Sequence, residues 1–174
     1  MIGIINTFNH PENLKWQLGL FKQNIDELLI IQPNNKSALE AKFRIPELEQ
    51  HVNAKIIKGE IDQLRQKSQS SKTIAGKQRY AKIAISMLMK SIESGAVNSG
   101  AVQPLIDEQE SYINKVEIEN LIARAKQCEI NLQRIKATQF YNDALRNALD
   151  NSLTVDDRAV LVAQIKAGLS NLTN

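Results

Sequence analysis

Apolar residues recur along this chain at helical spacing. From Asn9-His10-Pro11-Glu12, where proline and an early glutamate suit a first helical turn, Leu14, Leu18, Phe21, Ile25 and Leu28 follow in steps of four and three residues. Pro33-Asn34-Asn35 stops that helix. The pattern then predicts a short helix over Ser37 to Arg44. Pro46 opens another helix carrying Leu48, Val52, Ile56, Ile61 and Leu64, because proline disfavours helical geometry at Ile45. Ser68 to Ser71 reads as a loop, and Thr73 to Glu93 as a helix burying Ala81, Ile85, Leu88 and Ile92. The run Gly95 to Gly100 ends it.

Pro104 opens a long helical region in which Leu121, Ala125, Cys128, Leu132 and Ile135 repeat the same steps, with a break near Tyr112 to Lys115. Ala137 to Leu149 and Val155 to Leu169 supply the last two helices. Thr154 and Asp157 stand before the final one like a capping box with aspartate in place of glutamate.

Strand-like alternation is absent, and seven Gly and four Pro in 174 residues leave few of the turn residues that an all-β fold consumes. The expected fold is therefore all-α: an antiparallel array of about six or seven helices, either a bundle or a short solenoid. It is read as one domain, 1–174, hinged at 95–100. The core positions are Leu18, Phe21, Ile25, Leu28, Ile85, Leu88, Leu121, Leu132, Tyr141, Leu145, Val162 and Ile165.

Three of the helices share one register: Phe21-Ile25-Leu28, Ala81-Ile85-Leu88 and Ala137-Tyr141-Ala144. The third lies in Ile135-Lys-Ala-Thr-Gln-Phe-Tyr-Asn-Asp-Ala-Leu145, which resembles the second helix of a tetratricopeptide repeat. There a small residue, an aromatic and another small residue hold these positions, and Pro33 follows the first copy where that family also places its proline. The copies are unequally spaced, Phe21 and Leu28 stand where the family has small residues, and the family's first-helix Trp, Leu and Gly have no counterpart. The resemblance implies stacked helical hairpins whose concave face holds a peptide or protein. It carries over no binding residue.

Candidate chemistry is sparse. His10 and His51 have no His or Cys one helical turn away, so neither reads as a metal ligand. Asp150, Ser152, Thr154 and Asp156 alternate like the start of a calcium loop, but Val155 and Leu161 replace the required Gly and Glu, so the run reads as a polar turn and helix cap. Gly76-Lys77 is followed by Gln78, and Ser71 stands where a phosphate-binding loop needs glycine. Cys128, the single cysteine, sits on an apolar stripe and reads as an inert buried thiol. Glu108, Glu117 and Glu119 read as a solvated helix face. No enzyme, cofactor or metal is expected.

Net charge is only +3, yet its distribution is uneven. Lys67, Lys72, Lys77, Arg79, Lys82 and Lys90 have no acid among them, whereas Glu93 to Glu119 is acidic with only Lys115 opposing it. Such a split can steer a phosphate backbone, an acidic partner or a second copy. The expectation is that Lys72, Lys77, Arg79 and Lys82 instead pair with Asp107 to Glu119 inside the fold. Trp16 and Phe140 flank the apolar stripes, as exposed anchors or, as expected here, at the edge of a helix interface.

Met1 to Phe8 lacks the basic start and apolar core of a signal peptide, and no stretch approaches the roughly 18 apolar residues that span a bilayer. A soluble, cytoplasmic protein is expected, without membrane contact. Its expected role is a non-enzymatic adaptor that binds a peptide or protein through a helical groove. A nucleic-acid-associated protein using the basic face 67–90 is the alternative, and self-association is open to either.

Overall fold

The structure is a computed structural model that describes residues 11–173, with side chains for 13–172. The readings of Met1 to Phe8 and His10 lie outside the described residues. Among the described residues there are six helices: α1 (Pro11–Ile31), α2 (Lys36–Ser70), α3 (Ile74–Glu93), α4 (Ser99–Ile130), α5 (Arg134–Asp150) and α6 (Val155–Thr173). No strand occurs among the described residues, so the all-α array holds.

Side-chain caps set most of the helix starts. Asn35 Oδ1 accepts from the Ala38 amide at 3.1 Å, Thr73 Oγ1 from Gly76 at 3.1 Å, Asn98 Oδ1 from Gly100 at 2.8 Å and Thr154 Oγ1 from Asp157 at 3.2 Å. Each satisfies a first-turn amide that has no helical partner. The Thr154 bond is the cap expected from sequence.

Both internal prolines depart from expectation. The two helices predicted around Pro46 form one helix of 35 residues, and Pro104 lies inside α4 instead of opening it. Proline removes one helical hydrogen bond and disfavours helical geometry in the residue before it, but neither effect bars a helix that packing holds on both sides. Ala38 and Ile56, one on each side of Pro46, are buried. The Asn98 cap likewise fixes the start of α4 upstream of Pro104, and α4 runs unbroken through Tyr112 to Lys115. α2 also extends through the expected loop as far as Ser70. Ser68 there is 1% exposed and donates its hydroxyl to the Lys77 carbonyl at 2.6 Å.

A break interrupts the stripe that the sequence runs from Leu121 to Ile135. After Ile130 the Gln133 amide reaches the Cys128 carbonyl at 2.8 Å and the Leu132 amide reaches Glu129 at 2.9 Å. Leu132 adopts φ 58°, so this is a Schellman closure with leucine in the left-handed position. α3 ends the same way: Ala96 and Gly95 reach Ser91 and Ile92, and Gly95 has φ 69°.

The chain packs as two compact units. Of the described residues, one holds those up to Gln63 with Leu88–Val102, the other Leu64–Met87 with those from Gln103 onward. The segment 95–100 lies within the first. That unit buries Ile25, Ile56, Ile57, Ile61, Leu88 and Val97, and Asn53 Nδ2 donates to the Ala96 carbonyl at 3.1 Å. In the second, Ile118, Ile122 and Ala125 of α4 meet Tyr141, Ala144 and Ala148 of α5 and Leu161 and Ile165 of α6. α5 and α6 pack against each other as a hairpin.

Of the expected core, Ile25, Leu88, Tyr141 and Ile165 are buried, and Leu18, Ile85, Leu121, Leu145 and Val162 are half-buried. Phe21, Leu28 and Leu132 are exposed, which corrects their placement in the core. Leu132 stands in the α4–α5 turn, and the flank of α1 that carries Phe21 and Leu28 is only partly covered.

Candidate functional site

α1 and α2 leave an apolar groove between them. Lys22 pairs with Glu49, and Lys42 Nζ lies 2.8 Å from Asp26, which ties the two helices at two points along their length. Leu14, Leu18, Phe21, Leu48 and Val52 line one stretch of the groove. It continues past Phe21 and Leu48 into a cleft of about 620 Å³, where Glu40, Arg44, Glu47 and His51 form a polar rim. The floor can take apolar side chains, and the rim offers both signs of charge.

Other large apolar side chains on α1 and α2 are exposed without lining this groove. Trp16 is 64% exposed, against the expected burial at an interface edge, and Phe43, Ile30 and Ile31 are exposed as well. Phe140 behaves differently. It is half-buried, packs against the core of the second unit and carries the Arg124 guanidinium 4.2 Å from its ring centroid, a cation–π contact. Those contacts place Phe140 at an interface edge, as expected.

The basic run is not neutralised as predicted. Among the described residues, none of Lys72, Lys77, Arg79 and Lys82 forms an ion pair with Asp107 to Glu119, and Glu108 is taken by Arg65. Lys72, Arg79 and Lys82 are exposed and Lys77 is half-buried. Arg79 and Lys82, one helical turn apart, border a shallow concavity on α3 beside Ala75 and Ile83.

In the second unit the end of α2, the first half of α4 and the start of α6 enclose a small polar cleft of about 190 Å³. Ser68, Gln109 and Ser111, the buried polar residues among those described, all line it. Two ion pairs border it: Arg65 with Glu108, and Lys115 with Asp157, whose Nζ and Oδ1 are 2.6 Å apart. Hydrogen bonding to Asp157 raises the Lys115 pKa, and the same bond lowers that of Asp157. Sequence reasoning missed this cleft. Gln109 and Ser111 carry no charge and belong to no motif, so only the convergence of three separated segments marks them.

Among the described residues no group of three or more His, Cys, Asp or Glu side chains could hold a metal ion, and no helix is long and apolar enough to cross a membrane. Cys128 is half-buried. Comparison of the chain with protein-family models, with curated proteins and with solved structures gives no match.

Proposed function

We propose that the protein is a non-enzymatic adaptor whose α1–α2 groove receives an amphipathic peptide or helix from a protein partner. One observation carries this reading: Phe21, on a helix face patterned for burial, is 40% exposed and lines the groove opposite Leu48, itself 39% exposed. An apolar stripe only partly covered forgoes part of the free energy that full burial would supply, and a ligand helix presenting apolar residues at i, i+3 and i+4 would recover it. The mixed-charge rim would then set orientation. Stacked hairpins binding peptides are also what the tetratricopeptide resemblance implies.

Affinity capture from the native host, followed by mass spectrometry, tests the reading when the wild-type chain is compared with Phe21→Asp and Leu48→Asp. Partners retained by the wild type and lost from both variants are expected. An identical set of partners from all three proteins would overturn it.

The unpaired basic residues support a second reading, in which Lys72, Lys77, Arg79 and Lys82 contact a nucleic-acid backbone. Binding to DNA or RNA would then fall steeply with salt, with a log–log slope of roughly −3 to −4 for four phosphates. Lys77→Glu with Arg79→Glu would flatten that slope. Absence of binding at low salt would remove this reading.

A further inference from the structure

We infer that the polar cleft of the second unit is a binding site for a small zwitterion of the free α-amino acid class. The inference is independent of the groove reading. It begins with Gln109, which is 2% exposed and lines the cleft, yet its side-chain amide makes no hydrogen bond to another described residue. That amide is also not among the buried polar atoms sealed away without a partner, so it opens onto the cleft. Ser111, 8% exposed, shows the same combination. Buried polar side chains nearly always find a partner, in the protein or in an ordered molecule at the cavity wall. Two that have no partner among the described residues and face the same cavity point to a ligand that supplies donors and acceptors there.

Size and charge narrow the ligand class. A volume of about 190 Å³ holds roughly six waters at about 30 Å³ each, or one molecule of amino-acid size, and falls below the usual range for larger organic ligands. The charged groups on the wall balance, with Arg65 and Lys115 against Glu108 and Asp157, and each is already paired. An inorganic anion that displaced a carboxylate from one of these cations would leave that carboxylate uncompensated, and a metal ion that took a carboxylate would leave a cation so. A zwitterion instead sets its carboxylate toward one guanidinium or ammonium and its own ammonium toward one carboxylate, so that no charge is left uncompensated. Gln109, with both donor and acceptor on one amide, and the Ser111 hydroxyl then fix the polar groups of the ligand.

The test is a titration of the full chain, followed by calorimetry and by the side-chain amide resonances of Gln109. L-glutamine, L-glutamate, L-lysine and L-alanine are the probes, with glucose and inorganic phosphate as comparisons, each up to about 10 mM. Saturable binding of at least one amino acid, with movement of the Gln109 resonances, is expected. Gln109→Met and Ser111→Ala should each weaken that binding about tenfold, the effect of removing one buried hydrogen-bond partner, with circular dichroism unchanged. If Gln109→Met does not fold, the Gln109 resonances of the wild type and the Ser111→Ala affinity decide. No amino acid binding, binding that leaves those resonances still, or preferential binding of glucose or phosphate would overturn the proposal.

Discussion

The phenol ring of Tyr141 on α5 lies directly on the backbone of Gly168 on α6, where a Cβ would collide with ring carbons and the hydroxyl. Tyr141 is 1% exposed and belongs to the core cluster of the second unit, so it has little room to withdraw. Gly168→Ala therefore sets a helix-propensity gain of about 1 kcal/mol against overpacking of about 1–3 kcal/mol. Net destabilisation is expected in urea unfolding. The smaller side chain of Tyr141→Leu should partly relieve the penalty, and additive losses in the double variant would show that the two residues do not meet.

Burial of Tyr141, with the Glu129 carboxylate beside it, pushes the phenol pKa up to about 12 from 10.0. A raised folded-state value means that the stability contributed is fully present below pH 10.0 and is lost as pH rises toward about 12. Phenolate absorbance should show one tyrosine that resists ionisation in the folded protein, and Tyr141→Phe should remove that late component. Its persistence in the variant would assign it to another tyrosine.

Leu132 and Gly95 close their helices with the same hydrogen bonds, at φ 58° and 69°. The left-handed region costs a non-glycine residue about 1–2 kcal/mol, and Leu132, 87% exposed, has little burial to offset it. Leu132→Gly should raise stability by up to about 1 kcal/mol, whereas Gly95→Ala should lower it by about 1 kcal/mol or more. Urea midpoints that shift the other way would overturn the shared-closure account.

Truncating Ile25, which is 6% exposed, should cost about 2–5 kcal/mol as Ile25→Ala. The same change at Leu132 should stay within about 0.5 kcal/mol, because almost none of that side chain leaves water on folding. Equal losses at the two sites would contradict the burial pattern.

The Lys115–Asp157 pair gives stability a pH window. Asp157 is held below 3.8, so its contribution is complete above that value and is lost as pH falls through the lower folded-state value. Lys115 is held above 10.5, so its contribution is complete below that value and is lost as pH rises through the higher one. With side chains 35% and 30% exposed, screening limits the pair to about 0.2–1 kcal/mol. The stability difference between wild type and Lys115→Met should be constant between those limits and shrink outside them in urea titrations. A difference that does not depend on pH would exclude the ion pair as its source.

Local chemistry alone determined where most helices begin and end. The spacing of Leu14 through Leu28 gave α1, the run from Thr73 to Glu93 gave α3, and Thr154 marked the start of α6, because periodicity and capping depend on residues within one or two turns. Tertiary structure decided which faces met a partner. Phe21 and Leu28 share a stripe with buried Ile25 yet stay exposed, since burial depends on what another helix covers and not on the pattern that invites it. Packing on both sides carried α2 through Pro46, and the turn at Leu132 ended a stripe that continues unbroken in the sequence. The polar cleft belongs wholly to that second category. Arg65, Gln109 and Asp157 come from three helices far apart in the chain, and folding alone brings them to one cavity.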